Sequence, residues 1–220
     1  MNVKLIGFTP NPEKLPAMAA KLTHSKSKPE DLYKSSVKDL KGILEHVMSL
    51  GHTSVIEHTS FTFAISDVSR SLTHQLVRHR IASYAQQSQR YVNLNEPNYV
   101  TPPKINKNKE MKKAYDITMK NIWQEYNKLL DLGIPAEDSR DVLPNATCTN
   151  IIVTMNARSL LNFFELRCCQ HAQWEIRQLA NKMLKEVKKV APIIFKNAGP
   201  VCKVRGICPE NKKDCSLYPK

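Results

Sequence analysis

Long helical periods separated by single short strand patterns constrain this chain more than any other feature. Between residues 108 and 132, Met111, Tyr115, Met119, Ile122, Tyr126 and Leu129 recur every three or four positions, and Gly133 follows as a stop. Two further helical runs cover about 157–168 and 172–190, and Pro192 disturbs what comes next. Nearer the N-terminus, Leu40, Ile43, Leu44, Val47 and Met48 predict a helix over 36–50, capped by Ser36 and ended by Gly51. Another is expected from Val68 to about Arg78 behind an Asp67 N-cap, and Pro135 opens a short one before Pro144. Strand signals are fewer. Residues 2–8 alternate, as do Phe61, Phe63 and Ile65, while Thr147–Thr154 reads as a buried strand and Arg90-Tyr91-Val92 as a short one. Ile81–Ser88 is polar and unpatterned, an expected ordered loop. Such a chain is α+β, mostly helical, and its 220 residues suit one domain.

No apolar run approaches the length that spans a bilayer, and Met1–Ile6 lack a signal-peptide core. The expected location is cytoplasmic, with no membrane partner. Lysine and arginine exceed the acids by 13, a surplus that attracts polyanions or phosphorylated small molecules. Part of it, Lys182, Lys185, Lys188 and Lys189, reads as a solvated helix face. Six glycines and no glycine-rich fingerprint mean that any nucleotide must be held by side chains.

Without a secretion signal, six cysteines are expected to be thiols or metal ligands rather than disulfides. Cys168-Cys169 falls in a helical pattern and reads as core filler rather than nucleophile. Cys202, Cys208 and Cys215 lie in a basic tail over 201–220. Their spacing is not Cys-x-x-Cys, so they hold a metal only with a fourth ligand from elsewhere, and no metal is assigned. His52 and His58, six residues apart, are not a usual ligand pair either.

The chemistry concentrates between Arg78 and Tyr91, where three arginines, a histidine and two serines surround a short polar loop. Guanidinium forks suit phosphate, and hydroxyls and amides suit bases or ribose. Alternatively, Arg78, His79 and Arg80 simply oppose the dipole of the preceding helix. A rival use of the basic loop is RNA binding with Tyr84 and Tyr91 as stacking platforms, although only 7% of residues are aromatic.

Arg78-His79-Arg80, seven residues, then Ser88 resembles the signature of the flavin-dependent thymidylate synthases. Gly51-His52-Thr53-Ser54 with Glu57-His58, Phe61-Thr62-Phe63, and Ser139-Arg140 before Val142-Leu143-Pro144 resemble that family in order. So does Asn156-Ala157-Arg158-Ser159-Leu160, continuing through Asn162-Phe163 and Leu166-Arg167 to His171-Ala172-Gln173-Trp174-Glu175. The resemblance spans about 36–195. It implies a single α+β domain over 1–200, an antiparallel sheet flanked by long helices, and a homotetramer with active sites shared between subunits. It also implies FAD as cofactor, with dUMP, methylenetetrahydrofolate and NADPH as substrates, and no nucleic-acid partner.

Carried over by position, the resemblance places His52, Ser54, Arg78, His79, Arg80, Gln86, Asn156, Ala157, Arg158 and Asn162 at the flavin. It places Gln75, Leu76, Val77, Arg78, Gln86, Gln87, Ser88, Gln89, Arg90, Arg140 and Arg167 at dUMP. Arg167, near the uracil ring, is the expected catalytic group, stabilising charge as the ring is activated. Ala85-Gln86 stands where many members have Asn-Glu, so Gln86 keeps an amide but no charge. Ser88 is expected to donate a hydrogen bond rather than act as nucleophile. Helical spacing sets Arg158 and Asn162 on one stripe and Arg167 about half a turn away, facing something else.

Overall fold

The computed structural model describes residues 1–219, the side chains of Val37 and Asp39 apart. In chain order the elements are β1 (Asn2–Phe8), α1 (Lys14–Leu22), α2 (Pro29–Lys34), α3 (Val37–Ser49), a 3-10 turn (Thr53–His58), β2 (Ser60–Ser69) and α4 (Arg70–Leu76). Then come β3 (Ser83–Gln86), α5 (Pro103–Asn106), α6 (Lys109–Asp131), α7 (Ala136–Ser139) and a second 3-10 turn (Arg140–Val142). The last are β4 (Cys148–Asn156), α8 (Ala157–Arg167), α9 (Trp174–Val190) and α10 (Val201–Arg205). The strands form one antiparallel sheet in the order β1-β2-β4-β3, so the fold is α+β as expected.

Chain contacts divide the protein into two compact units. The first comprises Met1–Asn2, Ile65–Val77 and Ala85–Ile151. Its core is built on α6, whose buried Met119, Trp123 and Tyr126 gather Leu94, Tyr99, Tyr115, Ile122 and Leu143 around them. Trp123 is 1% exposed and donates its indole N–H to the Leu94 carbonyl at 2.7 Å. Met111, expected on this stripe, is instead 58% exposed, because the first turn of α6 runs beyond the core. Asn108 accepts from the Glu110 and Met111 N–H groups as its cap, and Gly133 takes φ +85° at its end.

The second unit comprises Val3–Ala64, Arg78–Tyr84 and the chain from Ile152 on. Phe61 and Phe63 alternate inward from β2, and Phe61 and Phe164 both meet Phe195 edge-on. Ile176, Leu179, Met183 and Val187 make the buried stripe of α9. Gly51 ends the stretch after α3 at φ +75°, a conformation glycine adopts without strain.

Three boundaries differ from expectation. β2 continues to Ser69, Asp67 sits at φ +57°, and the α4 cap is Ser69, whose hydroxyl accepts from the Leu72 N–H at 3.0 Å. Ser83–Gln86 is a strand rather than loop. It pairs beside β4, where the Gln87 N–H reaches the Asn150 carbonyl at 2.9 Å, a ladder that supplies the order its side-chain pattern lacks. Arg90-Tyr91-Val92 is a turn, not a strand: the Val92 N–H donates back to the Ser88 carbonyl. Residues 9–35, which give no clear period, contain α1 and α2.

Candidate functional site

In the second unit a cavity of about 810 Å³ opens along α8. Its chemistry comes from Arg78, His79, Arg80, Asn156, Arg158, Asn162, Arg167 and Arg205, with Glu57 and Glu165 the carboxylates. Five arginines against two glutamates leave it strongly cationic. Asn156 is the N-cap of α8, its side-chain oxygen accepting from the Ser159 N–H at 2.8 Å. Arg158, on the first turn, pairs with Glu57 from the 3-10 turn.

His79 is the one cavity-lining ionisable side chain packed into the core, at 9% exposure. Its ring lies edge-on to Phe163, centroids 4.9 Å apart, and its Nε2 accepts from the Arg167 Nε–H at 3.0 Å. Nε2 is therefore unprotonated and the ring proton sits on Nδ1. Burial, reinforced by the Arg167 charge, pushes the His79 pKa down to about 4. Tyr84 donates its hydroxyl to the His79 carbonyl at 2.8 Å, and burial raises that phenol to about 12. The arrangement makes His79 a neutral acceptor that anchors the Arg167 Nε–H, rather than a cation.

Arg158 and Arg167 line this same cavity, contrary to the expectation of opposite faces. Arg167 is the last residue of α8, and a long side chain there swings round to His79 instead of following the helical stripe. Ala157 is fully buried. His52 and Ser54 are exposed, and it is Thr53 between them that lines the cavity.

The first unit holds the other group of expected residues. Gln86 donates its amide to the hydroxyls of the buried Thr73 and Thr149, at 3.1 and 3.2 Å, so that amide is committed to structure. Gln87 accepts from Asn150 at 3.1 Å, and Gln75 donates weakly to the Ser71 carbonyl at 3.4 Å. The Ser88 hydroxyl oxygen accepts from the Arg90 N–H at 3.2 Å, which leaves its proton to donate. Gln89 is half-buried. Arg90 makes a two-pronged pair with Glu137, and Arg140 donates to the Glu137 carbonyl at 2.9 Å. Leu76 is buried and Val77 exposed.

Sequence reasoning missed two arginines. Arg70, at the start of α4, has its pKa lowered by burial and by the neighbouring Arg140 charge. Two guanidiniums near enough to repel are chemically suited to an oxyanion. With Asp67 expected as the cap, nothing in the sequence marked Arg70 as the first residue of α4. Arg205, in the segment read as a tail, reaches the cavity of the second unit, where Glu165 holds it at 2.8 Å. Cys168, read as core filler, is buried, and its thiol is pushed up to about 12 by that burial.

Against known proteins, the sequence model of the family described as "Thymidylate synthase complementing protein" matches residues 4–193. A flavin-dependent thymidylate synthase of Clostridium tetani is 51% identical over 98% of this chain and 93% of its own length. One of Geobacter sulfurreducens is 50% identical, over 98% and 94%. The crystal structure of a UMP/dUMP methylase, PolB from Streptomyces cacaoi, bound with 5-Br dUMP, superposes with a TM-score of 0.77. It covers 89% of this chain and 93% of that one at 24% identity, a likeness of fold.

Proposed function

The chain belongs to the flavin-dependent thymidylate synthase family, and from that membership we propose that it converts dUMP to dTMP with FAD bound in the cavity of the second unit. Methylenetetrahydrofolate is the carbon donor and NADPH the reductant in this reading. The observation that carries it is the cationic cavity itself. Its arginines and terminal amides suit an anionic, hydrogen-bonding cofactor, and its volume admits a large one. Arg78, Arg80, Arg158, Asn156 and Asn162 would hold the flavin, which would supply hydride when reduced.

Arg167, its Nε tied to neutral His79, presents its Nη groups to the uracil carbonyls and stabilises charge that develops on the ring. For dUMP the reading also carries Arg140, Ser88 as donor of its hydroxyl proton, and Gln75, Gln87, Gln89 and Arg90, with Arg70 a further candidate for the phosphate. PolB, whose fold this chain shares, was captured with a brominated dUMP, which supports the nucleotide assignment. A homotetramer with shared active sites belongs to the same reading, and exposed Ile6 and Phe8 on β1 and Ile152 on β4 leave apolar surface for association. No helix among the described residues is long and apolar enough to cross a membrane.

Titrating the purified protein with FAD tests the reading directly. The flavin spectrum should perturb saturably, and an Arg78→Ala, Arg158→Ala double variant should lose most of that affinity. Unaltered affinity in the double variant would remove the cavity as the flavin site.

A further inference from the structure

Residues 201–219 carry little regular structure. α10 is five residues long, the rest is turn and coil, and Ile207 is exposed. A short loop-rich segment without a core needs a crosslink or a metal to stay in one place. Three cysteines fall in this segment, and a small cavity of about 100 Å³ shows where they converge. It is lined by Cys202, Cys208 and Cys215 from the tail and by Cys169, which follows α8. Cys169 is thus the fourth thiol that the tail spacing lacked. All four are thiols rather than disulfides.

The tail is already docked at this point. Gln170, beside Cys169, donates to the Ser216 hydroxyl at 2.8 Å and faces the Cys215 sulfur at 3.7 Å. As they stand, no three His, Cys, Asp or Glu side chains among the described residues are grouped tightly enough to hold an ion. Closure therefore requires the tail thiols to move onto Cys169: Cys208 and Cys215 lie outside helices, and Cys202 moves with the short α10 as a unit about the turn at Gly206, φ +67°.

We propose that Cys169, Cys202, Cys208 and Cys215 form a tetrathiolate site for one zinc ion, which clasps the C-terminal segment to the end of α8. Four thiolates at tetrahedral corners, each ~2.3 Å from the metal, are a closed structural zinc site, and soft sulfur selects such a metal over magnesium or calcium. Binding turns four thiols into thiolates and releases four protons, leaving a dianionic centre. The tail sequence carries Lys203, Lys212, Lys213 and Lys220 against Glu210 and Asp214, a positive balance opposite in sign to that charge. The clasp also has a structural consequence: it fixes α10, and with it Arg205 at the wall of the large cationic cavity.

The full-length protein, purified under reducing conditions without chelator, is loaded with zinc sulfate, dialysed and weighed by native mass spectrometry. The expected result is one zinc per chain, and cobalt in its place should give the intense absorption of tetrahedral sulfur ligation. Cys169→Ser and Cys208→Ser should each lose the metal, whereas Cys148→Ser, on β4, should retain it. Iodoacetamide should spare the four thiols only in the zinc-loaded protein. Absence of bound zinc, retention of it in Cys169→Ser, or a mass loss of two hydrogens per pair showing disulfides instead would overturn the proposal.

Discussion

Acidification should expose the strain of keeping His79 neutral, and its size follows from the structure. An unfolded chain protonates a histidine near 6.5, whereas the folded protein holds His79 at about 4, first by burial and then by the Arg167 charge. Between these values the unfolded state binds more protons than the native one, so stability falls as pH falls through this window and levels off beneath it. Above 6.5 both states carry the neutral ring and the effect is absent. A pKa unit corresponds to ~1.4 kcal/mol, so the full span amounts to roughly 3 kcal/mol.

The perturbation is His79→Gln, which keeps an acceptor for the Arg167 Nε–H but cannot titrate. Urea unfolding of parent and variant, compared at pH 7 and pH 4, removes the contribution of every other group. The parent should lose about 3 kcal/mol more than the variant over that interval. Because burial is the larger cause, Arg167→Met should recover less than half of the displacement. Its His79, followed by NMR, should therefore still titrate well below 6.5. Equal pH dependence in parent and His79→Gln, or a return to 6.5 in Arg167→Met, would refute burial as the dominant cause.

Other consequences are as direct. Arg70→Ala should raise KM for dUMP more than it lowers kcat, by roughly tenfold or more if a charge-assisted bond worth ~1.5–3 kcal/mol is lost; an unchanged KM would remove Arg70 as a candidate for the phosphate. Ser88→Ala should weaken dUMP binding by ~1–3 kcal/mol yet leave measurable turnover, and complete loss with normal nucleotide binding would point to a nucleophile instead. Trp123→Ala should destabilise the protein by ~3–5 kcal/mol in urea unfolding, since it empties the centre of the α6 core and orphans the Leu94 carbonyl; a cost under 1 kcal/mol would contradict that packing. Light scattering should find a tetramer, and fully active monomers at high dilution would rule out shared sites.

The helices and the main strands were legible because their apolar periods are long, as α3, α6, α8 and α9 show. β3 was not, because a four-residue strand is set by its ladder to β4 rather than by its own side chains. α1 and α2 are short, and their buried Pro16, Ala17, Ala20 and Leu32 are too few or too small to mark a stripe. At the site, residue identity pointed to Arg78, His79, Arg80, Arg158 and Arg167, and the cavity brings them together. Their orientation was not readable. The swing of Arg167 onto His79 depends on where α8 ends, and the approach of Arg70 to Arg140 depends on tertiary packing. Gln86, a ligand group by position, also donates its amide to two buried threonines, Thr73 and Thr149, a contact that only the folded chain reveals.

The most direct test of the account is an anaerobic single turnover. Protein loaded with FAD is reduced and freed of excess reductant. It is then mixed with dUMP and methylenetetrahydrofolate while flavin absorbance and dTMP are followed together. One dTMP should form for each flavin reoxidised, with no reoxidation when dUMP is omitted and neither signal when Arg167 is replaced by alanine. Formation of dTMP with the flavin left reduced, or flavin reoxidation without dTMP, would contradict the assignment of this cavity and this chemistry to the chain.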